Sequence, residues 1–260
     1  MKIALVQNHP AFGDKKANVA ALAKAIESVD ADLYILPELS YSGYQFVSRE
    51  EAFDLADPLT SPSIDVFREL AAKKSACLVF GFPERSEDKV YNSSLAVLPE
   101  GREFLYRKTH LFYKETLFFS PGDLGFTLFE HQGAKIGMAI CFDWFFPESF
   151  RTLARKGADL IAHCSNLVMP YCQKADFAQA VQNRIFIATV NRIGEESRDG
   201  ETLRFTGGSV LVSPKGEYLL QAPPDSPAVA AAEIDPRQAR EKNINPYNHA
   251  FDDRKPGFYL

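Results

Sequence analysis

The 260-residue chain has no apolar run approaching the roughly 18 residues that a membrane-spanning helix requires. Its opening segment, Met1-Lys2-Ile3-Ala4-Leu5-Val6-Gln7, is too short to form the ~7–15-residue apolar core of a signal peptide. A soluble, cytoplasmic protein is therefore expected. Cysteine is scarce: Cys77, Cys141, Cys164 and Cys172 are far apart, and no Cys-x-x-Cys pair occurs. Four such thiols in so long a chain do not make a disulfide framework, and buried, reduced cysteine is the default reading of each. His163 and Cys164 are adjacent, but neighbours on a strand point to opposite faces, which makes them a poor metal pair. Repeats, low-complexity tracts and Gly/Ser-rich linkers are missing as well, so residues 1–260 are expected to form one domain. The formal charge is −5 and the basic residues form no stripe, which argues against nucleic acid as a partner.

What is present is a globular composition, 46% hydrophobic and 24% charged. Strand-like runs at Ile3–Gln7, Leu33–Leu36 and Cys77–Gly81 alternate with helical patterns at Ala17–Ser28 and from Ser61-Pro62 to Lys74. Pro83 is expected to stop the third strand. Tyr91–Leu98 and Glu103–Arg107 form a hairpin about Pro99-Glu100-Gly101, and Phe126–Phe129 pairs with Lys135–Ile140 about Gly133. Further helices are predicted at Pro147–Lys156 and Tyr171–Phe186, with strands at Asp159–His163, Ile187–Asn191, both sides of Pro214-Lys215-Gly216, and Ala228–Ile234. Early alternation followed by hairpins predicts an α/β protein with two sheets between helices, a four-layer α-β-β-α sandwich. The tail, residues 241–260, has neither period yet carries Phe251, Phe258 and Tyr259, and is expected to pack at a subunit interface.

Three polar residues stand just past apolar strands: Glu38 after Ile35-Leu36-Pro37, Lys108 after Leu105-Tyr106-Arg107, and Cys141 after Ile136–Ile140. Strand ends opening into loops are where open α/β folds place their ligands. Taken singly, each has a plain structural reading as a turn cap, a solvated strand end or a small core thiol. Together they make a chemistry. A thiol attacks as thiolate and needs a base, a buried carboxylate is a competent base near neutral pH, and a lysine stabilises developing negative charge. The N–H of Phe142 would be a second donor to an oxyanion. A histidine could activate the cysteine instead, and His9, His110, His131, His163 and His249 are available, with His110 placed to share a strand face with Lys108.

The strings around these residues resemble the nitrilase superfamily of carbon–nitrogen hydrolases. They are Leu36-Pro37-Glu38-Leu39-Ser40-Tyr41-Ser42-Gly43-Tyr44, Tyr106-Arg107-Lys108-Thr109-His110-Leu111-Phe112, and Gly137-Met138-Ala139-Ile140-Cys141-Phe142-Asp143-Trp144-Phe145-Phe146-Pro147-Glu148. Asn191-Arg192-Ile193-Gly194 and the ending Asp253–Tyr259 extend the likeness. The resemblance implies a Glu38–Lys108–Cys141 triad, the four-layer sandwich, homodimers joined face to face, and a second carboxylate, Glu115, orienting Lys108 and the substrate nitrogen. Glu115 paired with its neighbour Lys114 is the structural alternative.

The implied reaction opens an amide or nitrile through a thioester on Cys141 and needs water but no metal or organic cofactor. The position four after the nucleophile, an arginine in omega-amidase-like members, is Phe145 here, which removes a carboxylate clamp unless Arg192 or Lys114 replaces it. The Cys141–Glu148 string is similar to the branch of carbamoylputrescine amidases and archaeal small-molecule nitrilases. Pocket candidates are Tyr44, Phe112, Tyr113, Trp144, Phe145, Asn166 and Met169, mostly apolar and suited to a small uncharged substrate. Three readings stand: a small-molecule amidase with nitrilase activity as a variant, a Cys–His hydrolase or acyltransferase, and a silent scaffold.

Overall fold

The computed structural model describes residues 1–259. The chain begins with β1 (Lys2–Gln7), α1 (Lys15–Glu27), β2 (Leu33–Ile35), α2 (Arg49–Leu55) and α3 (Pro62–Lys74). The long pair β3 (Cys77–Ser86) and β4 (Lys89–Val97) follows, then β5 (Glu103–Arg107) and the single turn α4 (Glu115–Phe118). The second half comprises β6 (Leu128–His131), β7 (Ala134–Ile140), α5 (Pro147–Arg155), β8 (Leu160–Cys164), α6 (Cys172–Asn183) and β9 (Phe186–Val190). It continues with β10 (Ile193–Arg198), β11 (Glu201–Thr206), β12 (Val210–Val212), β13 (Tyr218–Gln221) and β14 (Ala228–Glu233).

Two six-stranded sheets form, in the orders β14-β1-β2-β3-β4-β5 and β13-β12-β9-β8-β7-β6. Each has three parallel strands at its centre, β1-β2-β3 and β7-β8-β9, flanked by antiparallel partners. The period-2 geometry of β1 shows how the layers are built. Ile3 and Leu5 join a core shared with Ile136, Met138 and Ile140 of the other sheet, while Ala4 and Val6 pack with Val19, Leu22 and Ile26 of α1. A strand buried on both faces reads as an unbroken apolar run. The outer layer is α1 and α3 on one sheet, α5 and α6 on the other, which gives the four-layer sandwich. Helix α3 starts as its sequence dictates: the Ser61 hydroxyl accepts the Ile64 N–H, Pro62 takes the first position, and Ser75 closes the helix left-handed.

One expectation is corrected, and two stretches gain elements that the sequence left unassigned. Pro83 does not end β3, which runs on to Ser86. Its carbonyl accepts the Asp57 N–H at 2.9 Å, beyond the end of β2, so its ring nitrogen faces that same open side and the β4 ladder loses no donor. Residues 193–206, unassigned in the sequence, form the β10–β11 hairpin, with Ile193 opposite Thr206. The tail is not without structure either: Asn243–Asn245 and Asn248–His249 make a short ladder, and Phe251 packs on the chain's own core.

Candidate active site

Glu38 is carried two residues past the last ladder bond of β2, where the Leu36 N–H donates to Val79 O at 2.8 Å. Gly81 of β3 seats this turn. A Cβ there would lie 2.5 Å from the Glu38 Cα, so only glycine lets the two backbones approach, joined by Gly81 N–H to Pro37 O and Ser40 N–H to Gly81 O. Lys108 follows β5 and donates its N–H to Asn92 O at 2.8 Å. Glu115 is the first residue of α4. Cys141 opens a 3₁₀ turn after β7 with φ 39°, in the left-handed region that non-glycine residues occupy only when the surroundings hold them there.

Glu38, Lys108 and Glu115 meet in a buried knot, and the Cys141 thiol is buried within reach of their charges. The Lys108 Nζ donates to Glu38 Oε1 at 2.6 Å and to Glu115 Oε1 at 2.7 Å. Glu115 Oε1 also accepts the Tyr44 hydroxyl at 2.6 Å, which disposes of the Lys114 pairing; Lys114 instead donates to Glu201 at 2.7 Å. Asn92 Nδ2 donates to Glu38 Oε1 at 2.6 Å, while Glu38 Oε2 is buried and has no partner. One oxygen of Glu38 is thus fixed and the other is free to take a proton.

Burial pushes the Glu38 carboxyl up to about 7; Lys108 opposes this, and the Glu115 charge adds to it. For Lys108, burial works against the ammonium, but Glu115 and Glu38 outweigh it and the group stays protonated well beyond its ordinary range. The Cys141 thiol is driven far up, first by burial and then by the Glu38 charge, against opposition from Lys108 and a hydrogen bond from the Asn166 N–H. The resting nucleophile is a thiol beside an acceptor rather than a standing thiolate.

Two cavities flank the knot. One, a narrow cleft open to solvent, is lined by Cys141, Phe112, Phe142, Trp144, Asn166 and Met169, together with Leu167 and Val168, which the sequence did not single out. Both polar atoms of the Asn166 side chain are buried there without partners. The other gathers Tyr44, Tyr113, Lys114 and Glu115 with Gln45, Phe46, Phe118, Phe119, Glu201 and Leu203.

Phe145 is corrected out of the pocket. It is 55% exposed and stacks on Phe142 at 5.3 Å between ring centroids. Arg192 is no carboxylate clamp: it is fully buried, ion-paired with Glu196, and packed 4.1 Å over the Phe205 ring. His110 turns away from Lys108 to Asp143 Oδ1 at 2.7 Å and stacks on Phe146 at 4.0 Å.

Asn92 was missed, although a buried polar run, Asn92-Ser93-Ser94, inside an apolar strand was the available signal. Glu196 was missed with its hairpin. Its carboxylate accepts the Gln45 N–H at 2.6 Å and the Tyr44 N–H at 3.1 Å, holding the loop that carries the Tyr44 hydroxyl to Glu115.

A buried Glu–Lys–Glu cluster beside a thiol at a strand end, on an α-β-β-α sandwich, defines a class of cysteine hydrolase-like sites. The model of the carbon–nitrogen hydrolase family matches residues 2–243, and the chain belongs to this family, within the nitrilase superfamily. It is a carbon–nitrogen hydrolase acting on bonds other than peptide bonds. It is 43% identical over 264 residues to a nitrilase of Pyrococcus abyssi, covering 100% of this chain and 99% of the relative. An (R)-stereoselective amidase of a Pseudomonas species is 37% identical over 227 residues, 85% of this chain and 81% of the other. Among solved structures, a carbon–nitrogen hydrolase from Helicobacter pylori superposes with TM-score 0.88 at 25% identity, covering 100% of this chain and 96% of the other.

Proposed function

We propose that the chain hydrolyses the amide of a small, uncharged acyl compound through a thioester on Cys141, with Glu38 as the base and acid and Lys108 as the charge stabiliser. The observation that carries this reading is the division of Glu38: Oε1 bound to Lys108 and Asn92, Oε2 buried and bare. Glu38 Oε2 takes the thiol proton as Sγ adds to the carbonyl carbon. Lys108 Nζ and the Phe142 N–H stabilise the oxyanion, and Glu115 holds Lys108 in place. The intermediate collapses, the nitrogen leaves as ammonia carrying the proton from Glu38, and the acyl group stays on sulfur. Water then adds to the thioester, giving up a proton to Glu38, and the carboxylic acid leaves as the thiol is restored.

The cavity beside Cys141 supports a small apolar acyl group with one polar function near the Asn166 amide. The rim cation Lys114 is neutralised by Glu201, so a substrate carboxylate meets no unpaired charge there. Nitrile hydrolysis is the second reading, favoured by the P. abyssi relative. The Cys–His alternative loses support because His163, which reaches Cys141, contacts its carbonyl oxygen at 2.9 Å.

Ammonia release from a panel of short amides, carbamoyl amines and nitriles tests the reading. Cys141→Ala should remove all turnover with the fold intact, and Glu38→Gln should lower kcat by about three orders of magnitude or more. Turnover by C141A would sink the proposal. Activity on nitriles alone would replace amidase by nitrilase.

A further inference from the structure

Behind the nucleophile lies a buried polar cluster that the reaction does not use. His163, the fourth of the five residues of β8, stands opposite Thr189 of β9 in the parallel register. Its Nδ1 lies 2.8 Å from Thr189 Oγ1, and its Nε2 lies 2.9 Å from the backbone oxygen of Cys141 and 3.2 Å from Ser165 Oγ. Phe150 of α5 packs edge-on against the ring, and Cys172 and Asp176 of α6 close the far side, all buried. A carbonyl oxygen can only accept, so Nε2 carries the proton, with the Ser165 hydroxyl beside it, and the bare Nδ1 takes the Thr189 hydroxyl, whose oxygen also faces the buried Asp176 carboxyl. Burial keeps the imidazole neutral, holding its pKa down at about 4.

The Cys141 carbonyl belongs to the same peptide unit as the Phe142 N–H. No peptide bond among the described residues is cis, so oxygen and N–H point in opposite directions across a rigid plane. A donor fixed to the oxygen on the α5–α6 side therefore aims the N–H the other way, toward the cavity lined by Cys141 and Phe142. Donation to the oxygen also polarises the unit and makes its N–H the better donor. The same contact anchors Cys141 in its left-handed conformation, which the chain alone would not favour.

We propose that His163, held as its Nε2–H tautomer by the Cys141 carbonyl, is a positioning residue that aims and polarises the Phe142 N–H as an oxyanion donor and holds Cys141 in its attacking conformation. The proposal rests on the thioester reading above. Its effect falls on the transition state, where the oxyanion exists, and leaves ground-state binding almost untouched.

The test compares His163→Leu, His163→Gln and Thr189→Val with the wild type on propionamide or whichever short amide or nitrile the panel finds turned over. Loss of one oxyanion donor lowers kcat by about 10²–10³-fold, so a donor that is only misaimed predicts a fall of about 10–100-fold in H163L, with KM within about threefold. H163Q, whose amide N–H reaches as Nε2 does, should recover to within about fivefold of wild type. Equal losses in H163L and H163Q, or an unchanged kcat in H163L, would overturn the proposal. A second readout needs neither turnover nor a foldable Leu variant. The ¹⁵N spectrum of the wild-type imidazole should show a bare Nδ1 and a protonated Nε2, and T189V should disturb that pattern; the opposite tautomer overturns the proposal even if no substrate is found. Turnover by C141A would instead strike the underlying reading, so the two failures are distinguishable.

Discussion

Glu38 shows how a single side chain can be split between structure and chemistry. Its Oε1 is fixed by Lys108 and Asn92, its Oε2 has no partner, and burial lifts its carboxyl to about 7 from an ordinary value of 4.5. A base acts in its ionised form, so kcat/KM for an uncharged amide should climb with pH up to about 7 and level off above it. Below that point it should fall about tenfold per pH unit. The Cys141 thiol is pushed far higher and adds no second limb in the same range. Measuring kcat/KM between about pH 5 and 9 checks this, and a midpoint near the ordinary carboxylate value would remove Glu38 from the role of base. Glu38, Lys108 and Cys141 were legible in the sequence because each stands in a distinctive string at a strand end, and Glu115, at the start of α4, through the family resemblance. Asn92 and His163 were not, because a polar residue inside a strand gives no sign of which face it takes until the register with its neighbours is known.

At the scale of elements, the central strands and long helices were legible from period and caps, and the hairpin β10–β11 was not. Its Glu195-Glu196-Ser197-Arg198 stretch looks like a charged loop, although Asp199-Gly200, both at positive φ, is a turn signal for a tight hairpin. Only the fold reveals that Glu196 turns inward. It pairs with buried Arg192 and accepts the Tyr44 and Gln45 N–H groups, and Gly43, at φ 84°, leaves room for its carboxylate to come close. Removing it would leave a buried guanidinium unpaired and two N–H groups unsatisfied. Glu196→Ala should therefore cost about 3–5 kcal/mol of folding stability, read as a lower denaturation midpoint. At temperatures where the variant is still folded its kcat should also fall, because the Tyr44 hydroxyl loses its aim at Glu115. A loss under about 1 kcal/mol would show that the ion pair and its backbone contacts are dispensable.

At the scale of the whole molecule, the two sheets are built alike but their outer layers are not equally polar. Helix α6 leaves Phe177 and Val181 exposed, as is Tyr171 just before it, and Tyr218 donates its hydroxyl to Gln173 O. Gly216 lies directly against Phe177 and Val181, so these two side chains form one apolar patch. The tail divides its aromatics: Phe251 returns to the core of its own chain, while Tyr247 and Phe258 stand about nine-tenths exposed. A contiguous apolar patch of this kind on a folded domain marks a contact with another molecule. A second copy is the partner that the sequence led us to expect. We therefore predict that light scattering on the eluting protein gives twice the chain mass of 29.0 kDa. Phe177→Glu with Val181→Glu places two charges in the patch, desolvated on association without partners, and should return the mass to that of one chain. Both positions lie on the solvent side of α6, away from the knot at Glu38 and Cys141, so secondary structure and melting temperature should change little in the double variant. A wild-type mass of 29.0 kDa, or a double variant that stays at twice that value, would show that this face is not where two chains meet.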